Sequence, residues 1–469
     1  MHIRLHLAGI LTILGLLGLP SAALAQAADD QPTPVARGPH ISGVVHFIPR
    51  NPSSSSGSTT ATPLTCSTPG GTNYRTDCHS NGRPVNETSM AWNGSSLFVA
   101  GANDYNSYNG QGQDGYYWSS DGKSWNDAGP IDVFPHNQNN AAGDPGLAIG
   151  SSGVVYYSSL FFNFHNCGVG GVELLRLNPS TGKWTYTQIA SNSQTQFQDK
   201  PAITIDGSHV YESWTQFGSC SGSNVPSPIR VAVLPTGASS VAPSQILTNV
   251  PGSTYSQGSS IVADGSGNGF WLAWEEWPSA TAVNGTILLA HWTNGSWTAP
   301  QTVTPNGITD LASPLPGFKF RTNSFPQLTL STGVPQVAWT SEINGVGRAQ
   351  LWSGTNAGST SVLADSGSDQ FFPAMVADGA GGVYVSYSQS SGNSTYDQYY
   401  VRSGTASKVT TASSSPNNDA FFSGQFIGDY NGLVFTGTAG SGVHPIWTDI
   451  RGPDPKYPGY EMDSMVYSS

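Results

Sequence analysis

The sequence predicts an all-β chain folded as a β-propeller of seven blades, with six as the alternative count. One pattern recurs seven times: alternating apolar residues, a polar turn, alternating apolar residues again, then an aromatic, as in Pro201 to Trp214 (PAITIDGSHVYESW). The copies are anchored at Thr88, Pro145, Pro201, Ser259, Pro326, Pro373 and Asn431, at successive spacings of 57, 56, 58, 67, 47 and 58 residues. Period-two alternation broken by an Asp-Gly or Asn-Gly turn marks a hairpin. A repeat of this length, holding several short strands, builds a propeller blade. Composition agrees, since only 10% of residues are charged, glycine is abundant at 56, and no helical stretch stands out in the mature region.

Along the chain, residues 1–25 read as a signal peptide. Arg4 lies in a short basic region, Leu7 to Leu19 form an uncharged apolar run, and Ala23-Leu24-Ala25 supplies the small-residue cleavage pattern. The protein is therefore expected to be secreted, beginning near Gln26. Residues 26–80 read as an N-terminal arm containing a Ser/Thr/Pro-rich linker, Asn51 to Thr65, and residues 81–469 as the propeller. Within the arm, residues 41–47 have strand character and are expected either to complete the last blade or to lie loose. Cys66, Cys78, Cys167 and Cys220 suit two disulfides in an oxidising compartment. Three connectivities are open, and proximity favours Cys66–Cys78 with Cys167–Cys220. Without Arg4, the 17 Lys+Arg become 16 against 29 Asp+Glu, a net charge of −13. No basic cluster is present, so nucleic acid is not an expected partner. No mature stretch approaches ~18 apolar residues, so no membrane span is expected. A monomer is expected.

Within each repeat the first strand (A) should line the channel and the second (B) should run back beside it. Strand B ends on Trp214, Trp274, Trp339, Tyr387 and Trp447 in five repeats. These aromatics are read as packing between blades rather than as ligand platforms. Strands C and D follow, joined most clearly by Ser119-Ser-Asp121-Gly122-Lys-Ser-Trp125. Its Asp side chain can accept backbone N–H groups in the turn while its Trp packs between sheets.

Ser119 to Trp125 resembles the Asp-box, or bacterial neuraminidase (BNR) repeat, of the sialidase superfamily. The segments Ile427-Gly-Asp429-Tyr430-Asn-Gly-Leu and His444-Pro-Ile-Trp447-Thr-Asp449-Ile-Arg451 resemble secreted bacterial members of it. The resemblance covers roughly residues 85–469. It implies a six- or seven-bladed ring and, for true sialidases, a retaining glycosidase with a Tyr nucleophile assisted by a Glu, an Asp acid/base and three Arg on the substrate carboxylate. The family's Arg-Ile-Pro motif has no counterpart here: Asn86 stands two residues before Thr88, and Arg83-Pro84 is out of register.

Strand polarity sorts the polar residues. Those just before strand A and just after strand B share the channel mouth: Asp144, Asp199, Lys200, Arg321, Asn323, Asp369, Asp429 and Tyr430, then Glu275, Glu276, Glu342, Asp449 and Arg451. Two carboxylates between Trp274 and Trp277 should be partly desolvated, which raises one pKa as a general acid requires. The candidate catalytic residues are Tyr430, paired with Glu275 or Glu276, and Asp199. The candidate substrate-binding residues are Arg321, Arg348, Arg451, Asp144 and Asp429. Turn hydrogen bonding is the competing account of Asp144 and Asp199, and a local ion pair of Asp449 with Arg451. There is no Gly-x-Ser-x-Gly elbow and no His-Glu-x-x-His metal motif. No cofactor is expected, and Ca2+ on mouth carboxylates is the one cation to consider. The reading is a secreted exo-glycosidase acting on extracellular glycans; the alternative is a non-catalytic propeller that binds glycan or protein.

Overall fold

Seven antiparallel sheets follow one another along the chain, each built mainly from consecutive strands. The computed structural model describes residues 64–66, 71–78, 84–105, 113–131, 140–163, 166–218, 226–237, 246–247, 250–354, 360–402, 404–437, 442–452 and 462–468. Blade 1 is Val85–Trp92, Phe98–Asp104, Gln113–Ser119 and Trp125–Pro130. Blade 2 is Asn140–Ile149, Val155–Asn163, Asn166–Asn178 and Lys183–Ser191. Blade 3 is Phe197–Ile205, His209–Phe217, Ile229–Pro235 and Ile246–Leu247. Blade 4 opens with Tyr255–Ala263, Gly269–Trp277 and Asn284–Thr293, blade 5 with Gln327–Ser331, Val334–Ile343 and Val346–Ser353. Blade 6 opens with Gln370–Ala377, Val383–Gly392 and Thr395–Arg402, and blade 7 holds Gly432–Phe435, Val443–Asp449 and Asp463–Tyr467. Each inner strand packs against the next, and Gly432–Phe435 returns to Val85–Trp92. The protein is a seven-bladed β-propeller, and no α-helix occurs among the described residues.

Local chemistry explains the hairpins. At the A–B turns of blades 1, 3, 4 and 6, Asn93, Asp206, Asp264 and Asp378 each accept backbone N–H groups two or more residues on. The Ser119–Trp125 turn closes on itself. Asp121 Oδ1 accepts the N–H groups of Lys123 and Ser124 at 2.8 and 2.7 Å, and Trp125 Nε1 donates to the Gly122 carbonyl at 3.1 Å. The five aromatics that end strand B are each no more than 2% exposed, as expected of packing between blades.

The ring closes through a short N-terminal strand. Asn73–Arg75 is the outermost strand of blade 7, paired antiparallel with Met465 to Tyr467. Leu64–Thr65 pairs with the outer strand of blade 1. Part of the segment assigned to the arm therefore belongs to the ring, and strands of two or three residues are too short to show alternation in sequence. Residues 41–47 lie outside the described residues. The Cys66–Cys78 disulfide forms, joining the two short strands. Cys220 and the Cys167 side chain lie outside the described residues. Arg451 anchors the closure, donating to Asp449 Oδ1 at 2.7 Å, Asn73 Oδ1 at 2.9 Å and Thr411 Oγ1 at 2.8 Å.

Candidate functional site at the channel mouth

One position in the repeat assembles the site: the residue immediately before each anchor. In chain order these are Glu87, Asp144, Lys200, Gly258, Phe325, Phe372 and Tyr430. Five inner strands carry a β-bulge here, between Asn86 and Ser89, Gly143 and Gly146, Asp199 and Ala202, Gln257 and Ser260, and Phe371 and Ala374. In each of them the residue before the anchor takes a left-handed φ: Glu87 56°, Asp144 58°, Lys200 55°, Gly258 64° and Phe372 50°. Side chains rarely adopt that conformation, and bulges of this kind re-aim a residue. Five blades therefore repeat the same left-handed geometry, strained in the four that carry a side chain, to present one residue near the channel entrance.

These residues touch one another. Glu87 shares a hydrogen bond with Asp144, and Asp144 accepts the Lys200 backbone N–H at 3.3 Å. The Lys200 ammonium lies 2.9 Å from the Tyr430 ring centroid and 5.1 Å from that of Phe325. Phe325 fills the space that a side chain on Gly258 would need. Asn103 binds the carboxyl pair from strand B of blade 1, donating to Glu87 Oε2 at 2.5 Å while its Oδ1 accepts the Asp144 N–H at 2.7 Å.

Two long segments supply the remaining charges. Residues 310–325, ahead of blade 5, account for the longest anchor spacing, and residues 414–430 precede blade 7. They meet through a buried cluster that includes Phe318, Phe320, Phe421, Phe422 and Phe426. This contact carries Arg321 onto Asp429, with Nε to Oδ1 at 2.8 Å and Nη2 to Oδ2 at 2.5 Å. The pairing is the planar two-point contact that only a guanidinium makes. The Asp429 N–H donates to Glu87 Oε1 at 3.1 Å, and Asn323 Nδ2 donates to the Asp429 carbonyl at 2.8 Å.

Burial sets the protonation. It pushes the Glu87 carboxyl well above its ordinary range, and Asp144 and then Asp429 add to the effect. Burial pulls the Lys200 ammonium down, opposed by Asp144, Glu87, Asp429 and Asp199. The Tyr430 phenol is pushed well up by burial and by the Asp144 and Glu87 charges, and its hydroxyl is buried without a hydrogen-bond partner. Chemically the cluster offers a proton held on a carboxyl pair, a protonated phenol lacking a partner, and a cation seated on an aromatic ring.

Of the residues named from sequence, Asp144, Asp199, Lys200, Arg321, Asp429 and Tyr430 share this electrostatic cluster. Tyr430 and Glu275 or Glu276 were expected to pair, but Tyr430 lies against Lys200 instead. Burial, with Asp310 beside it, pushes the Glu275 carboxyl up to about 8. Glu276 accepts the Thr254 and Tyr255 N–H groups, which fastens its own hairpin. Both belong to strand B of blade 4, with side chains committed to that blade. Arg348 binds Asp365 at 2.9 Å and the Ser368 carbonyl at 3.1 Å, and Arg451 serves the closure. A three-arginine grouping around Arg321 is thus not formed by Arg348 and Arg451. Two site residues escaped the sequence reading. Glu87 stands in register, one residue before Thr88, where a single acid inside a strand pattern carries no further signal. Asn103 carried no sequence signal.

No protein-family model matches the chain, and no curated protein matches it. Solved structures do. A protein of unknown function from Dyadobacter fermentans is 12% identical over 72% of this chain and 96% of its own, with a TM-score of 0.44. A puromycin-hydrolysing peptidase of Mycobacterium tuberculosis is 12% identical over 80% of this chain and 51% of its own, with a TM-score of 0.45. An α-L-arabinanase of Penicillium chrysogenum is 11% identical over 87% of this chain and 99% of its own, with a TM-score of 0.43. The propeller assignment stands on this chain's own strand pairings, and the chemistry of its mouth on its own residues.

Proposed function

We propose that the protein is a secreted, monomeric glycosidase, sialidase-like in fold, that acts on extracellular glycans through the Glu87–Asp144 carboxyl pair. One observation carries this reading: two carboxyls from neighbouring blades share a hydrogen bond beside a phenol with no partner. A carboxyl that keeps its proton near neutral pH is what a leaving glycosidic oxygen requires. In this reading the Glu87–Asp144 pair gives its proton to the leaving glycosidic oxygen, water adds to the anomeric carbon and returns a proton to the pair, and the Tyr430 hydroxyl hydrogen-bonds a sugar hydroxyl. Arg321 is engaged by Asp429, which favours a substrate without a carboxylate, so neutral glycosides are expected to turn over in preference to sialosides.

The test is a panel of fluorogenic glycosides, one sialoside among them, with the wild type and Glu87→Gln. Removing the acid is expected to lower kcat by about 10²- to 10⁴-fold on the responsive glycoside. Equal rates for both proteins would remove Glu87 from the mechanism. A second reading, a non-catalytic glycan- or protein-binding propeller, is favoured by the Arg321–Asp429 pair, because the strongest anion-binding group at the mouth is already occupied. No turnover across the panel, together with saturable glycan binding by the wild type, would select that reading.

A further inference from the structure

Opposite each inner-strand bulge, strand B presents a single residue. In blades 3, 4 and 6 it is Trp214, Trp274 and Tyr387, each lying between the paired residues that flank the bulge. Blade 1 has Ala102 at this place, and blade 2 alone has a small polar residue there. Its bulge is flanked by the pairs Gly143–Leu160 and Gly146–Ser158, so the residue opposite is Ser159. The next residue across, on strand C, is Glu173, where blades 3 and 4 have Arg230 and Leu288. A bulky ring is thus replaced by a hydroxyl, with an acid beside it.

Blade 1 adds a second acid. Asp114 Oδ1 lies 2.6 Å from Ser159 Oγ, which also sits 2.9 Å from the Gly143 carbonyl and 3.0 Å from the Leu160 carbonyl. The serine has one proton for these three acceptors. Asp114, Ser159 and Glu173 are at most 1% exposed. Both oxygens of Glu173 and Oδ2 of Asp114 have no hydrogen-bond partner. Glu173 lies within the electrostatic reach of Asp114, and no Lys, Arg or His among the described residues forms a salt bridge with either carboxyl. Buried polar groups are otherwise nearly always satisfied, so three partnerless carboxyl oxygens in an oxygen-rich space point to a missing positive charge.

We infer that Asp114 and Glu173, with Ser159 Oγ and the Gly143 carbonyl, form a buried site for one hard divalent cation of the calcium class between blades 1 and 2. An all-oxygen donor set selects Ca2+ over softer metals. Burial raises both carboxyls well above their ordinary range, with Asp144 adding to Asp114, and Asp114 then Glu212 adding to Glu173. Metal-free, they hold protons that the cation displaces. The site is independent of the glycosidase reading.

The test uses the full mature chain, stripped with chelator and titrated with CaCl2 by calorimetry and by thermal unfolding. One equivalent of Ca2+ is expected to bind and to raise Tm, because a ligand of the folded state stabilises it. In Glu173→Gln, binding should weaken by at least ~10-fold and the Ca2+-dependent rise in Tm should vanish. The metal-free variant should melt no lower than the metal-free wild type, since a buried unpaired carboxyl has been removed. Ser159→Ala, which leaves both acids in place, should bind more weakly than wild type and serves if Glu173→Gln does not fold. No binding heat and no shift in Tm for the wild type would overturn the site, as would undiminished binding by the variants.

Discussion

At the scale of single residues, the position before each anchor does most to define the mouth, and Gly258 shows how tightly it is set. Its φ is +64°, and a Cβ there would run into the Phe325 ring. Gly258→Ala therefore combines backbone strain with overpacking and should destabilise by about 2–4 kcal/mol in urea unfolding. Gly265 provides the control, with φ +79° but nothing within 4 Å. Alanine there should cost only about 1 kcal/mol, and equal losses at both sites would rule out the Phe325 contact as the cause. Residue-level legibility was uneven for a physical reason. Asp144, Lys200 and Tyr430 could be found because register alone sends them to the mouth. That Tyr430 meets Lys200 rather than Glu275 depends on which blades face each other across the channel, and a linear repeat does not carry that information.

At the scale of elements, the seam between the ends of the described chain rests on few backbone pairings. Asn73–Arg75 contributes only three residues to blade 7, so side chains reinforce it. Arg451 bonds Asn73, Asp449 and Thr411, and Arg75 pairs with Asp463 at 2.5 Å. Arg451→Ala leaves the buried Asp449 without its cation, which should cost about 2–4 kcal/mol. Hydrogen exchange should quicken first in Asp463–Tyr467 and hardly change in Val155–Asn163; uniform quickening would mean the seam does not open on its own. The irregular spacings of 67 and 47 residues were legible as irregular but not as meaningful. The 67-residue spacing reflects the segment 310–325, which has almost no strand pattern yet carries Arg321 to the site. Residues held by aromatic packing and long-range ion pairs leave no period to detect.

At the scale of the whole molecule, the carboxyls set the pH response. Burial is the leading cause of raised pKa values at Asp77, Glu87, Asp114, Glu173, Glu212, Glu275, Glu276 and Asp310, with Asp77 pushed up to about 6, Asp310 to about 7, and Glu212 and Glu275 to about 8. Across this range the folded chain binds more protons than the unfolded chain, so stability falls as pH rises from about 4.5 toward 8. His444, pushed down to about 4 by burial, opposes this as a single group below pH 6.5. Asp121, Asp264, Asp378 and Asp397 are lowered, and their contribution is lost only below about pH 4. Melting temperature should therefore peak near pH 5 and decline by several degrees by pH 8; a curve rising across that interval would contradict the buried, protonated carboxyls. Ca2+ should flatten the decline, because it binds the ionised forms of Asp114 and Glu173. The seam has one more consequence, which concerns time. Ser464 donates its N–H to Asp77, 387 residues earlier, so the two sides of the last blade are made far apart in time. Blades 1 to 6 can each pair their strands as they emerge, but the circle has no way to shut until residues 463–467 exist. Until then the nascent protein is an open chain of sheets, and Asp463–Tyr467 completes the ring.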